Sequence, residues 1–209
     1  LVGVLSLLMF VTQGAAYLQM KTEGAVLQRS QHIGLLTGLG AALLFVLAGV
    51  WLHSSIAGYV VTSTLDSNAV NNVVNKTVEL RAGAWLQNFN NHPLLWVFPA
   101  LGVAAFALAG ISSKAGKGAL AFISSSLGQA GVIMTCGVAM FPFVMPSSSM
   151  PNHSLTMWDA TSSELTLKIM FFVACVFVPI VLSYTIWCYV KMFGRLNEQH
   201  IQANKHSLY

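Results

Sequence analysis

Charged residues are scarce in this sequence. They make up 8% of its 209 residues, whereas a soluble domain carries about a quarter. Hydrophobic residues make up 56%, and a water-soluble fold of this size has too little polar surface to cover them. The composition therefore excludes an ordinary soluble domain and predicts a membrane protein. The net charge of +4 comes from scattered basic residues that form no run or stripe, so nucleic acid is not predicted as a partner.

Cysteine and the usual catalytic motifs are also scarce. Cys136, Cys175 and Cys188 lie inside apolar runs, and their odd number and their spacing fit neither a disulfide framework nor a metal site. They are predicted to act as small buried apolar side chains. The sequence has no phosphate-binding glycine loop, zinc-protease helix or nucleophile elbow. It therefore predicts no catalytic, cofactor-binding or metal-binding residue.

What is abundant is long apolar sequence. Runs of about twenty apolar residues match the hydrocarbon thickness of a bilayer at the rise of an α-helix. They predict an all-α, polytopic transmembrane bundle in one membrane domain, 1–209. The predicted spans cover about 1–20, 33–53, 94–112, 119–145 and 165–191, with outer loops at 54–93 and 146–164 and a tail at 192–209. Because the chain opens at Leu1 inside an apolar run, without Met, it is predicted to be a fragment that lacks an N-terminal portion.

Basic residues in the loops predict the orientation. If the first span exits into the cytoplasm, seven basic residues fall on the inner side and three on the outer side, the asymmetry of the positive-inside rule. This orientation places the C-terminus in the cytoplasm. The inner residues are Lys21, Arg29, Lys114, Lys117, Lys191, Arg195 and Lys205; the outer ones are Lys76, Arg81 and Lys168.

Small residues and one acid are the candidate structural or interface positions. Gly34 and Gly38 lie four residues apart on one face of the second span, and such faces let helices approach closely in lipid. The close contact is predicted either inside this chain or against a partner. Asp159, beside Trp158, precedes the fifth span. It is interpreted either as an acid favoured at a helix N-terminus or as a residue with a structural or proton-exit role at a subunit interface.

Four segments carry a resemblance to a known family. Residues 140–167 read MFPFVMPSSSMPNHSLTMWDATSSELTL, and further matches are GAAYLQMKTEG at 14–24, GAWLQNFNN at 83–91 and WCYVKMFGRL at 187–196. These segments resemble subunit II of bacterial cytochrome bd-type quinol oxidases. They are long and occur in order along nearly the whole chain.

The resemblance implies a fold and a function. It implies an eight-span subunit, of which the five spans here would be the fourth to eighth, in the bacterial inner membrane. The complex would oxidise ubiquinol, reduce dioxygen to water and generate a proton-motive force. Haem b and haem d would be bound by the partner, subunit I, and this chain would be a non-catalytic structural subunit surrounded by membrane lipid. The resemblance also allows for a structural quinone, with no contact assigned here, and for small accessory subunits.

Two other functions compete with this one. A secondary transporter or permease would need polar groups that converge at mid-membrane, and only Gln13, Gln129 and Pro179 support it. Haem binding by this chain would need a His, Met or Cys ligand at controlled depth. The six histidines lie in loops, at span ends or in the tail, at His32, His53, His92, His153, His200 and His206.

Overall fold

The fold is a set of long helices with two small hairpins at one end. A computed structural model describes residues 1–63 and 76–191; the predicted tail 192–209 and residues 64–75 of the first outer loop lie outside them. The α-helices are α1 Val2–Lys21, α2 Gly24–Ser55, α3 Gln87–Asn91, α4 Val97–Lys114, α5 Gly118–Met140 and α6 Glu164–Lys191. The strands are β1 Ala57–Val61, β2 Val78–Ala82, β3 Phe143–Met145 and β4 Leu155–Thr156, and short 3-10 helices cover Ala84–Leu86, Pro93–Trp96 and Pro151–His153.

Five helices in the described ranges are long and apolar enough to cross a membrane. They are α1, α2, α5, α6 and the segment formed by α4 with the 3-10 turn before it. The prediction of an all-α protein with five spans is therefore confirmed. The α2 helix is longer than its predicted span, because it begins at Gly24 rather than near Ile33.

Four of these helices form a bundle in which α1 packs on α2, α2 on α4, α4 on α5, and α5 on α1. Two short turns, α1 to α2 and α4 to α5, lie side by side at what we call the turn end: a Cβ placed on Gly118 would stand 3.0 Å from Gln19 Cβ. In the α4–α5 turn, Gly116 has φ +72°, a backbone conformation that favours glycine. Chain direction alternates around the ring, as in an up-and-down bundle.

The centre of the bundle is filled by Phe106 and surrounded by small residues. The Phe106 side chain is 0% exposed, and its ring lies where a side chain on Gly128 would stand. Between α4 and α5, a Cβ on Gly131 would be only 2.6 Å from the backbone nitrogen of Gly102. Van der Waals contact between such close backbones is one of the forces that drive helix association in lipid.

The other end of the bundle, which we call the cap end, carries two antiparallel hairpins that the sequence did not predict. Strands β1 and β2 pair with Ala57 opposite Ala82 and Val61 opposite Val78. In the second hairpin, β3 pairs with β4, with Phe143 opposite Thr156. Their Val, Tyr and Phe residues favour strands. The strands are too short to be recognised in a sequence dominated by long apolar helices.

The predicted end of the fourth span at residue 145 is wrong, because α5 ends at Met140. Phe141 has left the helix, with φ −57° and ψ +132°. A proline disfavours the helical conformation of the residue before it, and Pro142 therefore terminates α5 at this point. Residues 143–145 then form β3.

Helix α6 differs from the others in having no buried residue along its whole length. The helix continues through Pro179, and its apolar side chains are exposed on all sides.

The prediction that the cysteines are buried is wrong, since Cys136 and Cys175 are exposed and Cys188 is partly exposed. Cys136 and Cys175 lie on helix surfaces that the remainder of the described chain leaves open.

Candidate functional site

Asp159 is held in a loop at the cap end. Its carboxylate accepts a bond from Lys76 Nζ at 2.5 Å and two from Thr156, from the backbone N–H at 3.0 Å and from the hydroxyl at 2.6 Å. The side chains are nearly enclosed, with Lys76 3% and Asp159 10% exposed. These bonds all go to loop groups, and α6 begins only at Glu164. The bond of Asp159 with Lys76 joins the first outer loop, 54–93, to the second outer loop, 146–164.

Two asparagines reinforce this connection. Asn152 Oδ1 accepts the backbone N–H of Val78 at 2.8 Å, which ties the second loop to β2. Asn88 Nδ2 donates to the carbonyl oxygens of Val138 and Phe141 at 2.8 and 2.7 Å, and so satisfies acceptors left free at the end of α5. We call the set of Lys76, Asn88, Asn152, Thr156 and Asp159 the loop clasp. It fixes both loops to the bundle.

Trp158 adds an apolar contact next to the loop clasp. Its ring meets that of Phe141 edge to face, with centroids 6.1 Å apart and planes at 66°. This geometry is a favourable one for aromatic pairs. Trp158 therefore holds the second outer loop, which also carries Asp159, against the end of α5.

The electrostatics of the loop clasp set its response to pH. Partial burial alone would raise the pKa of Asp159, but the bonds from Lys76 and Thr156, with the charge of Lys76, outweigh it and lower the pKa below its ordinary value. A carboxyl with a lowered pKa in the folded state stabilises that state above its unfolded pKa, and the stabilisation is lost as the pH falls through the folded pKa.

We therefore expect the loop clasp to stay closed at neutral pH and to open only below about pH 4, the ordinary range for aspartate. Amide hydrogen exchange of residues 155–160, corrected for the intrinsic pH dependence, measures the opening. An Asp159→Asn variant is the control, because it has no carboxyl to titrate at this position. Opening of the unmodified loop between pH 5 and 6 would contradict the assignment.

Gly34 and Gly38 lie where α2 crosses α4. A Cβ on Gly38 would stand 2.9 Å from the backbone nitrogen and Cα of Gly110, and one on Gly34 would stand 2.6 Å from Ser113 Oγ. The structure therefore places both glycines at a contact inside the chain.

Polar side chains join α1 to α5 within the bundle. Gln13 Nε2 donates to Ser126 Oγ at 2.9 Å, and Gln13 Oε1 accepts from Ser125 Oγ. Gln129 Nε2 reaches the carbonyl oxygen of Met9 at 3.4 Å. The two glutamines that favoured a transporter are therefore engaged in helix–helix contacts.

Replacing Gln13 with leucine is expected to lower the stability of the bundle by about 1 kcal/mol, a typical cost for an interhelical hydrogen bond in a membrane protein. Thermal unfolding in detergent measures the loss. Gln129→Leu removes only the single 3.4 Å contact and should cost less. Equal losses for the two variants would show that the Gln13 bonds do not join the helices.

The described residues do not fit a haem. Haem iron is held by His, Cys, Met or Tyr side chains, and none of these is buried within the part of the bundle that the structure describes. His32, His53, His92 and His153 are all exposed, while His200 and His206 lie outside the described residues. The same ranges hold no cluster of three or more His, Cys, Asp or Glu. No step of haem chemistry is assigned to these residues.

The sequence indicates Asp159 as a candidate but does not indicate its partners. Lys76 is recognisable only as a loop cation, and Asn88 and Asn152 carry no structural signal. Asn88 could have been suggested by the resemblance, because it lies in the segment GAWLQNFNN. Nothing in the sequence points to the pairing of Lys76 with Asp159, which are 83 positions apart.

Comparison with known proteins supports the resemblance. The family model for the cytochrome bd terminal oxidase subunit II matches residues 1–192. The chain is 54% identical over all 209 residues to the cytochrome bd-I ubiquinol oxidase subunit 2 of Escherichia coli strain K12, covering 55% of that protein. It is 55% identical over the same 209 residues to the "Probable cytochrome oxidase subunit 2" of Haemophilus influenzae, also over 55% of its length. The chain thus spans about half the length of these relatives, and it belongs to the cytochrome bd terminal oxidase subunit II family.

Proposed function

We propose that the chain is part of subunit II of a quinol:oxygen oxidoreductase of the cytochrome bd type. In this role it supports the oxidation of ubiquinol and the reduction of dioxygen to water, with generation of a proton-motive force. The chain itself is a structural subunit without a catalytic residue. Its five spans correspond to the fourth to eighth of eight, and residues 1–209 form part of one membrane domain.

The observation that carries the proposal is the composition of the bundle interior. In a chain of this family, the side chains buried between the described helices are aliphatic, aromatic, hydroxyl or amide groups, with no acid, no basic residue and no histidine. Ionisable side chains at mid-membrane mark proton and ion paths. An interior without them suits a subunit that supports a catalytic partner.

Haem b and haem d then belong to the partner, subunit I, which supplies the redox chemistry. The bare helix α6 supports this assignment of roles, because no part of it is buried by the described chain and it offers a long apolar surface for another polypeptide. A structural quinone and small accessory subunits are compatible with the proposal, and no residue here is assigned to them.

The proposal includes the bacterial inner membrane as the location of the complex, with the C-terminus in the cytoplasm. Lys21, Lys114 and Lys117 all lie at or beside the two turns of the turn end, and the positive-inside rule favours the cytoplasm for such a cluster. The cap end, with both hairpins, then faces the outer side.

Replacement of the histidines tests the division of roles. In the complete oxidase, each of His32, His53, His92, His153, His200 and His206 is changed to glutamine, singly and together, and the reduced-minus-oxidised spectrum is recorded per mole of complex. We expect the haem b and haem d signals to stay at full height. The loss of one haem class in a single variant that still assembles would overturn the proposal.

Co-purification provides a second test. A tagged full-length subunit should bring down a haem-bearing partner in equimolar amount and oxidise ubiquinol with uptake of oxygen. A tagged subunit that never associates with haem, but drives substrate uptake in liposomes, would instead establish a transporter.

A further inference from the structure

An open apolar groove runs between α1 and α2 near the turn end. It has a volume of about 460 Å³ and is lined on α1 by Val11, Gly14 and Leu18, and on α2 by Val26, Arg29 and Ile33. We call it the α1–α2 groove. No heavy atom lies within 4 Å of the Cβ position of Gly14, so the floor of the groove is empty space at this residue.

The groove extends from the headgroup layer into the hydrocarbon. At 1.5 Å per residue, the 32 residues of α2 give a length of about 48 Å, well beyond the roughly 30 Å hydrocarbon core. The continuous apolar part of α2 begins at Ile33, and Arg29 stands one turn before it. The guanidinium therefore lies at headgroup depth, while Gly14 and Val11 lie deeper along α1.

Arg29 is the only charged residue that lines the groove among the described residues. It makes no salt bridge with a described carboxylate, unlike Lys76, Arg81 and Lys168. A guanidinium offers donors in a fixed fork that matches the geometry of a phosphate. An exposed guanidinium without a carboxylate partner, above an apolar groove, is complementary to a molecule with an anionic head and an alkyl chain.

We propose that the α1–α2 groove binds an anionic phospholipid. The phosphate is held by Arg29 in the headgroup layer, and one acyl chain lies along Gly14 towards Val11. Basic pockets between transmembrane helices bind anionic lipid headgroups by the same combination of charge and apolar surface. The lipid would fill the gap that the four-helix ring leaves on this side.

Two variants remove the two halves of the site separately. Arg29→Gln removes the charge, and Gly14→Leu fills the space of the acyl chain from a position where the added Cβ has no heavy atom within 4 Å. Their matched controls are Lys114→Gln, which removes a cation at the same end of the bundle outside the groove, and Gly3→Leu, which adds a side chain to α1 where no heavy atom lies within 4 Å.

The measurement is native mass spectrometry of the complete oxidase in mild detergent, followed by rebinding from vesicles of phosphatidylglycerol or of phosphatidylethanolamine. Wild type and both controls should retain one more phosphatidylglycerol per complex than the two groove variants. Arg29→Gln should weaken rebinding about fivefold, as expected from the loss of one basic residue near a lipid surface. Inorganic phosphate should not compete.

Three results would overturn the proposal. The first is the same lipid content in all five proteins. The second is equal rebinding of phosphatidylethanolamine, which would show that the charge of the lipid does not matter. The third is failure of Gly14→Leu to assemble while Arg29→Gln assembles with unchanged lipid, because the groove would then be occupied by polypeptide. If Gly14→Leu fails for another reason, Arg29→Gln and its control still decide.

Discussion

Changing Asp159 to asparagine is expected to open the loop clasp and to destabilise the cap end by about 3 kcal/mol. Asparagine keeps the shape of the side chain and an oxygen that can accept the bonds from Thr156. It loses the negative charge opposite Lys76, whose side chain is 3% exposed. Removing one member of a buried ion pair leaves the other charge desolvated without that partner, and this typically costs 3–5 kcal/mol.

The loss should appear as faster amide exchange in both loops joined by the pair, at β2 and at β4. Glu79→Gln is the matched control: it breaks the pair between Arg81 and Glu79, which is 3.8 Å long with side chains 58% and 64% exposed. An exposed pair of this kind contributes less than about 1 kcal/mol. Equal exchange in the two variants would show that burial of the Lys76–Asp159 pair has no energetic effect.

A double replacement separates the charge from the packing. Lys76→Met combined with Asp159→Asn removes both charges, fills similar volume and keeps an oxygen that can accept the bonds from Thr156. Exchanging a buried ion pair for uncharged residues of similar volume is often neutral or stabilising. We expect the double variant to recover most of the stability lost in Asp159→Asn. A double variant as unstable as Asp159→Asn would show that the unpaired charge of Lys76 does not cause the loss.

The spans could be predicted from the sequence because one physical requirement, the pairing of every backbone polar group in the absence of water, decides them. A run of twenty apolar residues in lipid must form a helix, since each of its backbone polar groups needs a partner and water is absent. The spacing of Gly34 and Gly38 likewise predicted a close helix contact. Its location against α4 could not be predicted, because small residues also recur along α4 at Ala105, Ala109 and Ser113, and spacing does not say which helices meet.

The cap end could not be predicted because its structure depends on contacts between segments that are far apart in the sequence. The β1–β2 hairpin has short strands, and its register depends on contacts with distant segments, such as the bond from Val78 to Asn152. The partners of Asp159 are likewise determined by the folded loops and not by a local motif. The end of α5 is different, because Pro142 disfavours the helical conformation of the residue before it, although the fourth span was predicted to continue to residue 145.

Changing Gly38 to leucine is expected to force α2 away from α4 and to cost the bundle about 3 kcal/mol. The atoms closest to a Cβ at this position all belong to the α4 backbone: the nitrogen and Cα of Gly110 at 2.9 Å and the carbonyl oxygen of Phe106 at 3.0 Å. Backbone atoms cannot rotate aside as a flexible side chain can. Overpacking of this kind costs 1–3 kcal/mol and sometimes more.

Helix α4 cannot simply shift to make room, because α5 holds it on the opposite side at the contact between Gly102 and Gly131. The matched control is Gly49→Leu on the same helix α2, where no heavy atom lies within 4 Å of the added Cβ. Thermal unfolding in detergent and the amount of assembled subunit in membranes measure both variants. Gly38→Leu should be depleted and unfold at lower temperature, whereas Gly49→Leu should match wild type. If Gly49→Leu were the more damaging of the two, the tightest contact of α2 would lie against another polypeptide and not against α4.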